Sequence, residues 1–243
     1  MFRAVRDLLI PAKCIVCGQI LNRSERHICV SCQADMPFTH FVLSPALDNP
    51  MAKAFCGPAM ALFYYQEGYE HITKALKYGG NIPAGRHFAT ILGRAVADAL
   101  SGSEAGALSP IDAVVPVPLH WRRRWSRGFN QAGIIAEEVA AALGVKVAWN
   151  LLCRRHSTAT QTRLATSARA ANVLSAFSVN PSTLAALASA PRPLSLLLID
   201  DVFTTGSTLS ACRLAILSAW HSTPGLKDVP EPVISAVTLA YAP

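Results

Sequence analysis

The stretch LLLIDDVFTTGSTL, residues 196–209, decides how this chain folds. An apolar run leads into two carboxylates, Asp200 and Asp201, and then into Thr204, Thr205, Gly206, Ser207 and Thr208. The segment LSACRLAILSAW that follows has helical spacing of its apolar residues. A strand, a small flexible turn and a helix start therefore succeed one another. The helix start offers unpaired backbone N–H groups and a positive dipole end, which suit a phosphate. Two aspartates beside a phosphate repel it unless the ligand gives them something else to hold. A Walker A loop would need a lysine after Gly206, and a dinucleotide fold would need G-x-G-x-x-G; both are missing. Neighbouring strand residues point to opposite faces, which argues against a single assisted nucleophilic aspartate. A ligand with vicinal hydroxyls or a metal for the carboxylates and a phosphate for the loop fits. A ribose 5-phosphate has both kinds of oxygen.

Working outward, LSLLLI is continuously apolar, as in a central parallel strand buried on both faces. AMALFYYQ, IDAVVPVPL, VKVAW and VISAVTLAY read as further strands. YEHITKALKYGG reads as a helix presenting Lys74 and Lys77 together and ended by Gly79-Gly80; AGRHFATILGRAVADAL and GFNQAGIIAEEVAAALG read as two more. Strands alternating with helices predict a parallel sheet, with ligands at the strands' carboxyl ends. Pro116–Leu119 and Asp200–Thr208 both fall at such ends. MPFTHFVLSPALDNP reads as a connector over about 36–57, and the Ala/Ser/Pro-rich stretch 182–193 as a candidate mobile segment.

Hydrophobic residues make up 51% of the 243-residue chain and charged residues 15%, a folded composition without disordered character. No apolar run approaches the ~20 residues of a membrane span. The opening MFRAVRDLLIPAKC has too short an apolar stretch for a signal peptide, so a cytoplasmic protein without membrane insertion is expected. The formal net charge is +7, and it is concentrated. Residues 120–170 hold nine Lys/Arg against two Asp/Glu, which equals the excess of the whole chain. That segment is an anion-seeking surface, for a nucleic-acid backbone or for a small polyphosphate.

Near the amino terminus, CIVCGQILNRSERHICVSC spaces its cysteines as Cys14-x2-Cys17-x11-Cys29-x2-Cys32. Each C-x2-C pair can bend into a knuckle that aims two thiolates at one ion, and Gly18 supplies the flexible residue after the first pair. Four thiolates make a closed tetrahedral site of the structural zinc type. The alternatives are two disulfides or free thiols, and a cytoplasmic chain argues against disulfides. His27 is read as a bystander because four cysteines complete the shell. A module this small would draw its folding energy from the metal, and its role is DNA contact or docking and stability. Cys56, Cys153 and Cys212 read as buried small hydrophobes.

The string LLLIDDVFTTGSTL resembles the binding motif for 5-phosphoribosyl 1-diphosphate (PRPP) in type I phosphoribosyltransferases. VVPVPLHWRRRWSRGFNQA, RRHSTATQTRLATSARAANVLSAF, ALKYGG and the four-cysteine module resemble, in the same order, the ComF family of competence-related proteins. The resemblance spans most of the chain; the long NPSTLAALASAPRP and HSTPGLKDVPEP depart from it as loop extensions. It implies an α/β, parallel-sheet, type I phosphoribosyltransferase-like domain over 58–243 and a zinc ribbon with connector over 1–57. It implies that Asp200 and Asp201 grip the ribose hydroxyls with Mg²⁺ nearby, and that Thr204, Thr205, Gly206, Ser207 and Thr208 wrap the 5′-phosphate. Val117 and Pro118 would then lie in the diphosphate loop, joined by Arg127, Asn130, Gln131, Arg154 or Arg155, Thr160, Gln161, Arg163, Arg169 and Asn172.

Two functions remain open at this level. One is a PRPP-binding protein of DNA uptake and natural transformation that transfers a phosphoribosyl group to an unknown acceptor. The other is a non-catalytic accessory that binds single-stranded DNA, with other competence proteins as partners. HWRRRWSR, two tryptophans among four arginines, suits either a solvated face or stacking on single-stranded nucleic acid.

Overall fold

The computed structural model describes residues 11–44, 46–79, 81–102, 110–119, 128–154, 176–188 and 192–243. Along the chain run α1 (Val30–Ala34), α2 (Pro50–Phe55), β1 (Ala59–Tyr64), α3 (Glu70–Lys74), α4 (Ile82–Ser101), β2 (Ala113–Pro116) and α5 (Gln131–Leu143). Then follow β3 (Lys146–Val147), β4 (Leu152–Arg154), β5 (Phe177–Val179), α6 (Pro181–Leu187), β6 (Ser195–Phe203), α7 (Ser207–Ser222) and β7 (Val233–Tyr241). Five strands pair in the order β1-β7-β6-β2-β3, every neighbour parallel, and β4 and β5 form a separate antiparallel ribbon. The α/β parallel sheet expected from the sequence is present.

The apolar run of β6 shows why the strand is central. Leu196 and Leu198 point into one core, Leu197 and Ile199 into the other. A strand clothed on both faces cannot alternate apolar with polar, hence the unbroken run. On the first face the sheet is covered by α2, α6 and α7, through Phe55, Leu184, Ile216 and Trp220. On the second it is covered by α4 and α5, through Phe88, Leu92, Ile135 and Val139. Burying one Leu or Phe side chain of this kind stabilises by roughly 1.5–3 kcal/mol. Asn81 caps α4 by accepting the Ala84 N–H, and Gly144 ends α5 in the left-handed conformation.

The four-cysteine segment is docked onto the second face. Cys14, Ile28, Cys29 and Met36 belong to the same apolar cluster as Ile72, Leu76 and Phe88. The Tyr69 hydroxyl donates to the Cys32 carbonyl at 2.8 Å, and the His27 ring lies 5.6 Å from that of His87 on α4. The close approach of Val16 to Gly68, whose φ is +85°, would leave an added Cβ 3.1 Å from a Val16 methyl.

Four sequence expectations are refined. β6 does not stop before the carboxylates; it runs to Phe203, with Asp200 in register with Thr238 of β7. The helix expected over YEHITKALKYGG is α only to Lys74 and continues as a π-helical turn over Ala75–Gly79. That wider turn buries Leu76 against α4 at Gly85, where an added Cβ would sit 2.0 Å from the leucine. The stretch read as a candidate mobile segment begins as α6, because Asn180 caps it and Pro181 opens it. The connector at 36–57 runs along β1, with the Thr39 N–H donating to the Leu62 carbonyl and the Tyr64 N–H to that of Pro37, and closes with α2. Among the described residues no helix is long and apolar enough to cross a membrane.

Candidate functional site

At the carboxyl end of the sheet, β2 and β6 lie side by side, and the Val117 N–H donates to the Ile199 carbonyl at 2.9 Å. A pocket of about 220 Å³ opens there. Asp200, Asp201 and Thr208 form one wall, and Val117, Pro118 and Leu119 another. Lys77, Asn130, Gln131 and Arg154 complete it. The structure thus gathers Asp200, Asp201, Thr208, Val117, Pro118, Asn130 and Gln131, which the sequence singled out. Arg127, Arg155, Thr160, Gln161, Arg163, Arg169 and Asn172 lie outside the described residues, as does HWRRRWSR.

The pleat of β6 separates the two aspartates. Asp201 continues the face of Ile199 and pairs with the Lys77 ammonium, Oδ2 to Nζ 3.0 Å. Asp200 continues the other face, toward Cys212 of α7, and accepts the Asp201 backbone N–H at 2.8 Å. Burial, and then the neighbouring Asp201 charge, push the Asp200 carboxyl up to about 7 from its ordinary 3.8. That hydrogen bond, Lys77 and Arg154 act against the rise without cancelling it. The pair thus faces Lys77 and Arg154, with burial disfavouring the ionised form of Asp200. Hydroxyl donors or a divalent cation would complete it, and Mg²⁺ fits this all-oxygen donor set.

Beyond the strand, Thr204, Thr205 and Ser207 stand exposed, and Gly206 turns the chain into α7 with φ +72°. An added Cβ at Gly206 would come within 2.4 Å of the Phe203 ring, so both the left-handed backbone and the close approach require glycine. No side chain caps α7. The nearest approach to a cap is Thr205 Oγ1, which accepts the Ser207 N–H at 3.4 Å. A 16-residue helix thus presents its positive end beside a loop of hydroxyls, an arrangement that can receive an anion.

Asn130 and Gln131, expected as anion contacts, line the pocket and also make hydrogen bonds within the fold. The Asn130 Nδ2–H donates to the Val117 carbonyl at 3.0 Å, tying α5 to the loop after β2, while its buried Oδ1 has no hydrogen-bond partner among the described residues. Gln131 is 2% exposed and its Nε2–H donates to the Leu76 carbonyl at 3.4 Å, bracing the π turn. Lys77 is the site residue that sequence reasoning passed over, reading it only as presented on a helix together with Lys74. Lys74 does pair with the Glu70 carboxylate, 3.1 Å away, but the π turn sends Lys77 to Asp201. A larger groove, about 540 Å³, adjoins the pocket across Pro118, Leu119, Asn130 and Arg154. Its Trp149, 47% exposed, fits against α5 because Gly133 has no Cβ to strike the indole.

The second cluster is the four cysteines, whose Sγ atoms all lie within 4.8 Å of one another. No disulfide joins them. The Cys29 N–H points at Cys14 Sγ, 3.4 Å, and the Cys32 N–H at Cys29 Sγ, 3.5 Å. Burial disfavours the Cys14 thiolate, but N–H groups from Cys17, Cys29 and Val16 outweigh it and bring the thiol down to about 7. Amides aimed at sulfur are the setting of thiolate ligands, so these residues can hold a tetrahedral ion. His27 stays outside the cluster.

No family model matches the chain. Competence protein F of Haemophilus influenzae is 27% identical over 209 residues, 82% of this chain and 87% of that protein. DNA utilization protein YhgH of Salmonella typhimurium is 27% identical over 227 residues, 86% of this chain and 92% of that one. YhgH of Escherichia coli K12 is 25% identical over 210 residues, 84% and 83% of the two chains. Adenine phosphoribosyltransferase from Leishmania tarentolae covers 79% of this chain with 89% of its own, at 14% identity and a TM-score of 0.28, too loose a superposition to carry an argument. The likeness to the ComF family read from the motifs is borne out by these competence and DNA-utilisation homologues, aligned over most of their length.

Proposed function

We propose that the pocket at the ends of β2 and β6 binds PRPP together with Mg²⁺, and that the protein serves DNA uptake and natural transformation. The observation that carries this reading is the pairing of two carboxylates with an uncapped helix start only a few residues downstream. Carboxylates facing vicinal hydroxyls and amides facing a phosphate are what a phosphorylated ribose needs at one site. The names of the homologues, competence and DNA utilisation, supply the biological setting.

In this reading Asp200 and Asp201 hold the ribose hydroxyls, and Thr204 to Thr208 hold the 5′-phosphate. Val117 and Pro118 border the diphosphate, with Arg127, Arg155, Gln161, Arg163 and Arg169 joining from the basic segment. Asn130 and Gln131 position the loop and the π turn. Bound Mg²⁺ would supply positive charge for the diphosphate. Transfer of the phosphoribosyl group to an acceptor is the reaction such a grip serves, with the arginines stabilising charge on the departing diphosphate. The four thiolates hold a structural Zn²⁺, residues 1–57 and 58–243 form two units, and the protein works in the cytoplasm.

The test is thermal stabilisation by PRPP with and without Mg²⁺, in the wild type and in Asp200→Asn/Asp201→Asn. PRPP raises Tm for the wild type only; a wild type that PRPP leaves unmoved ends the reading. A second reading, a non-catalytic binder of single-stranded DNA, is favoured by the excess of seven positive charges over residues 120–170. Its measure is the salt dependence of single-strand affinity, which flattens in Arg122→Ala/Arg123→Ala/Arg124→Ala; an unchanged slope removes that stretch from the contact surface.

A further inference from the structure

We propose that Lys77 is the residue by which this pocket distinguishes a diphosphate-bearing sugar phosphate from the sugar phosphate alone. In the free site it pairs with Asp201, and on PRPP entry it moves onto the diphosphate. The inference rests on the PRPP reading of the pocket and adds a specificity residue to it.

Three observations place Lys77 in this role. Its backbone is anchored through the preceding residue, while its side chain reaches into the pocket. Leu76 is fully buried against Gly85 and its carbonyl takes the Gln131 amide, whereas Lys77 itself is 28% exposed. A lysine on a locked π turn has a fixed root and a four-carbon reach, and such turns recur at functional sites. Second, the ammonium borders the same 220 Å³ space as Asp201 and the Val117–Leu119 loop. Third, Lys77 and Arg154 supply the positive charge among the described residues lining that space. With the start of α7 committed to the other phosphate, Lys77 and Arg154 are the cations that the described residues leave for the diphosphate.

The exchange follows from the charges. Ribose hydroxyls donate to Asp201 and take over the oxygen that Lys77 holds at 3.0 Å. A displaced ammonium needs a new anion, and a diphosphate offers more charge than one carboxylate. Ribose 5-phosphate brings the same hydroxyls without the diphosphate, so displaced Lys77 finds no partner.

Calorimetric affinities for PRPP and for ribose 5-phosphate, both with Mg²⁺, test this in wild type, Lys77→Met and Lys77→Arg. The expectation for Lys77→Met is PRPP binding about tenfold weaker or worse, with ribose 5-phosphate changed less than threefold. Lys77→Arg, which keeps the charge, retains most of the preference for PRPP. If Lys77→Met weakens both ligands by one common factor, the lysine merely neutralises the aspartates and the inference is overturned. An unchanged PRPP affinity, or an arginine variant as impaired as the methionine one, overturns it too. A wild type that binds neither ligand removes the PRPP reading itself. Melting curves without ligand verify that all three proteins are folded.

Discussion

The two clusters of ionisable side chains in this molecule are built in opposite ways. The four cysteines come from 19 consecutive residues, and their sulfurs close on one point within 4.8 Å. The pocket draws Lys77, Val117, Asn130, Arg154 and Asp201 from five segments that only the parallel sheet brings together. The first cluster is compact and faces its own backbone amides; the second opens onto solvent and sets two carboxylates beside two cations. A compact, amide-lined cluster suits an ion held for structure, whereas an open pocket with mixed charges suits a ligand that comes and goes. The two meet physically at α3, where Tyr69 touches the cysteine module and the π turn a few residues later carries Lys77.

The largest effect is expected from breaking the closed cluster. Cys14→Ser/Cys17→Ser removes two ligands and leaves the buried Cys29 and the apolar surface of Ile28 and Met36 without support. The loss is on the order of 3–5 kcal/mol, or about 10 °C in Tm for a chain of this size. Metal analysis of fresh reduced wild-type protein should return one zinc per chain. A ratio well below one, or a double-serine variant melting with the wild type, breaks the assignment.

The open site should respond to its turn next. Gly206→Ala forces a Cβ into the left-handed region and against the Phe203 ring. A cost of roughly 1–3 kcal/mol is expected, together with loss of PRPP-dependent stabilisation. Stabilisation by PRPP as large as in the wild type would mean that the loop does not cradle the phosphate.

Asp200 gives the comparison a pH axis. Below about pH 4 its carboxyl is protonated whether the chain is folded or not, and it contributes nothing. Between about 4 and 7 the unfolded chain releases the proton first, so stability falls as pH rises; above about 7 the penalty is complete. Asp200→Asn removes the penalty. The variant should therefore gain on the wild type as pH rises from 4 to 8, by roughly 1–4 kcal/mol. PRPP with Mg²⁺ should favour the ionised wild type and reverse that order. Parallel stability curves for the two proteins would show that the carboxylate is already compensated.

The same contrast explains what the sequence made legible. The cysteine spacing and the string from Leu196 to Thr208 are local, so their chemistry could be read directly. The unbroken apolar run Leu196–Ile199 likewise marked the central strand. Lys77 was hidden because α-helical spacing sets it beside Lys74, and nothing in YEHITKALKYGG announces the π turn that separates them. The bond from Gln131 to Leu76 was not legible because it spans 55 residues, a contact that local spacing does not contain. The docking of the cysteine module on α3 and α4 was equally beyond a linear reading.

The smallest expected effect tests that docking. The Tyr69 hydroxyl donates to the Cys32 carbonyl at 2.8 Å, and its ring is 7% exposed, so Tyr69→Phe deletes one hydrogen bond and keeps the packing. Stability should drop by about 0.5–1.5 kcal/mol, with zinc content unchanged, because the ligands are untouched. Lys77 sits in the middle of the π turn, one short helix away, yet that turn is braced independently by Leu76 on Gly85 and by Gln131. PRPP affinity should therefore shift less than threefold. A tenfold loss in this conservative variant would instead make the cysteine module part of the pocket's positioning machinery, and the separation between a structural cluster and a binding cluster would have to be given up.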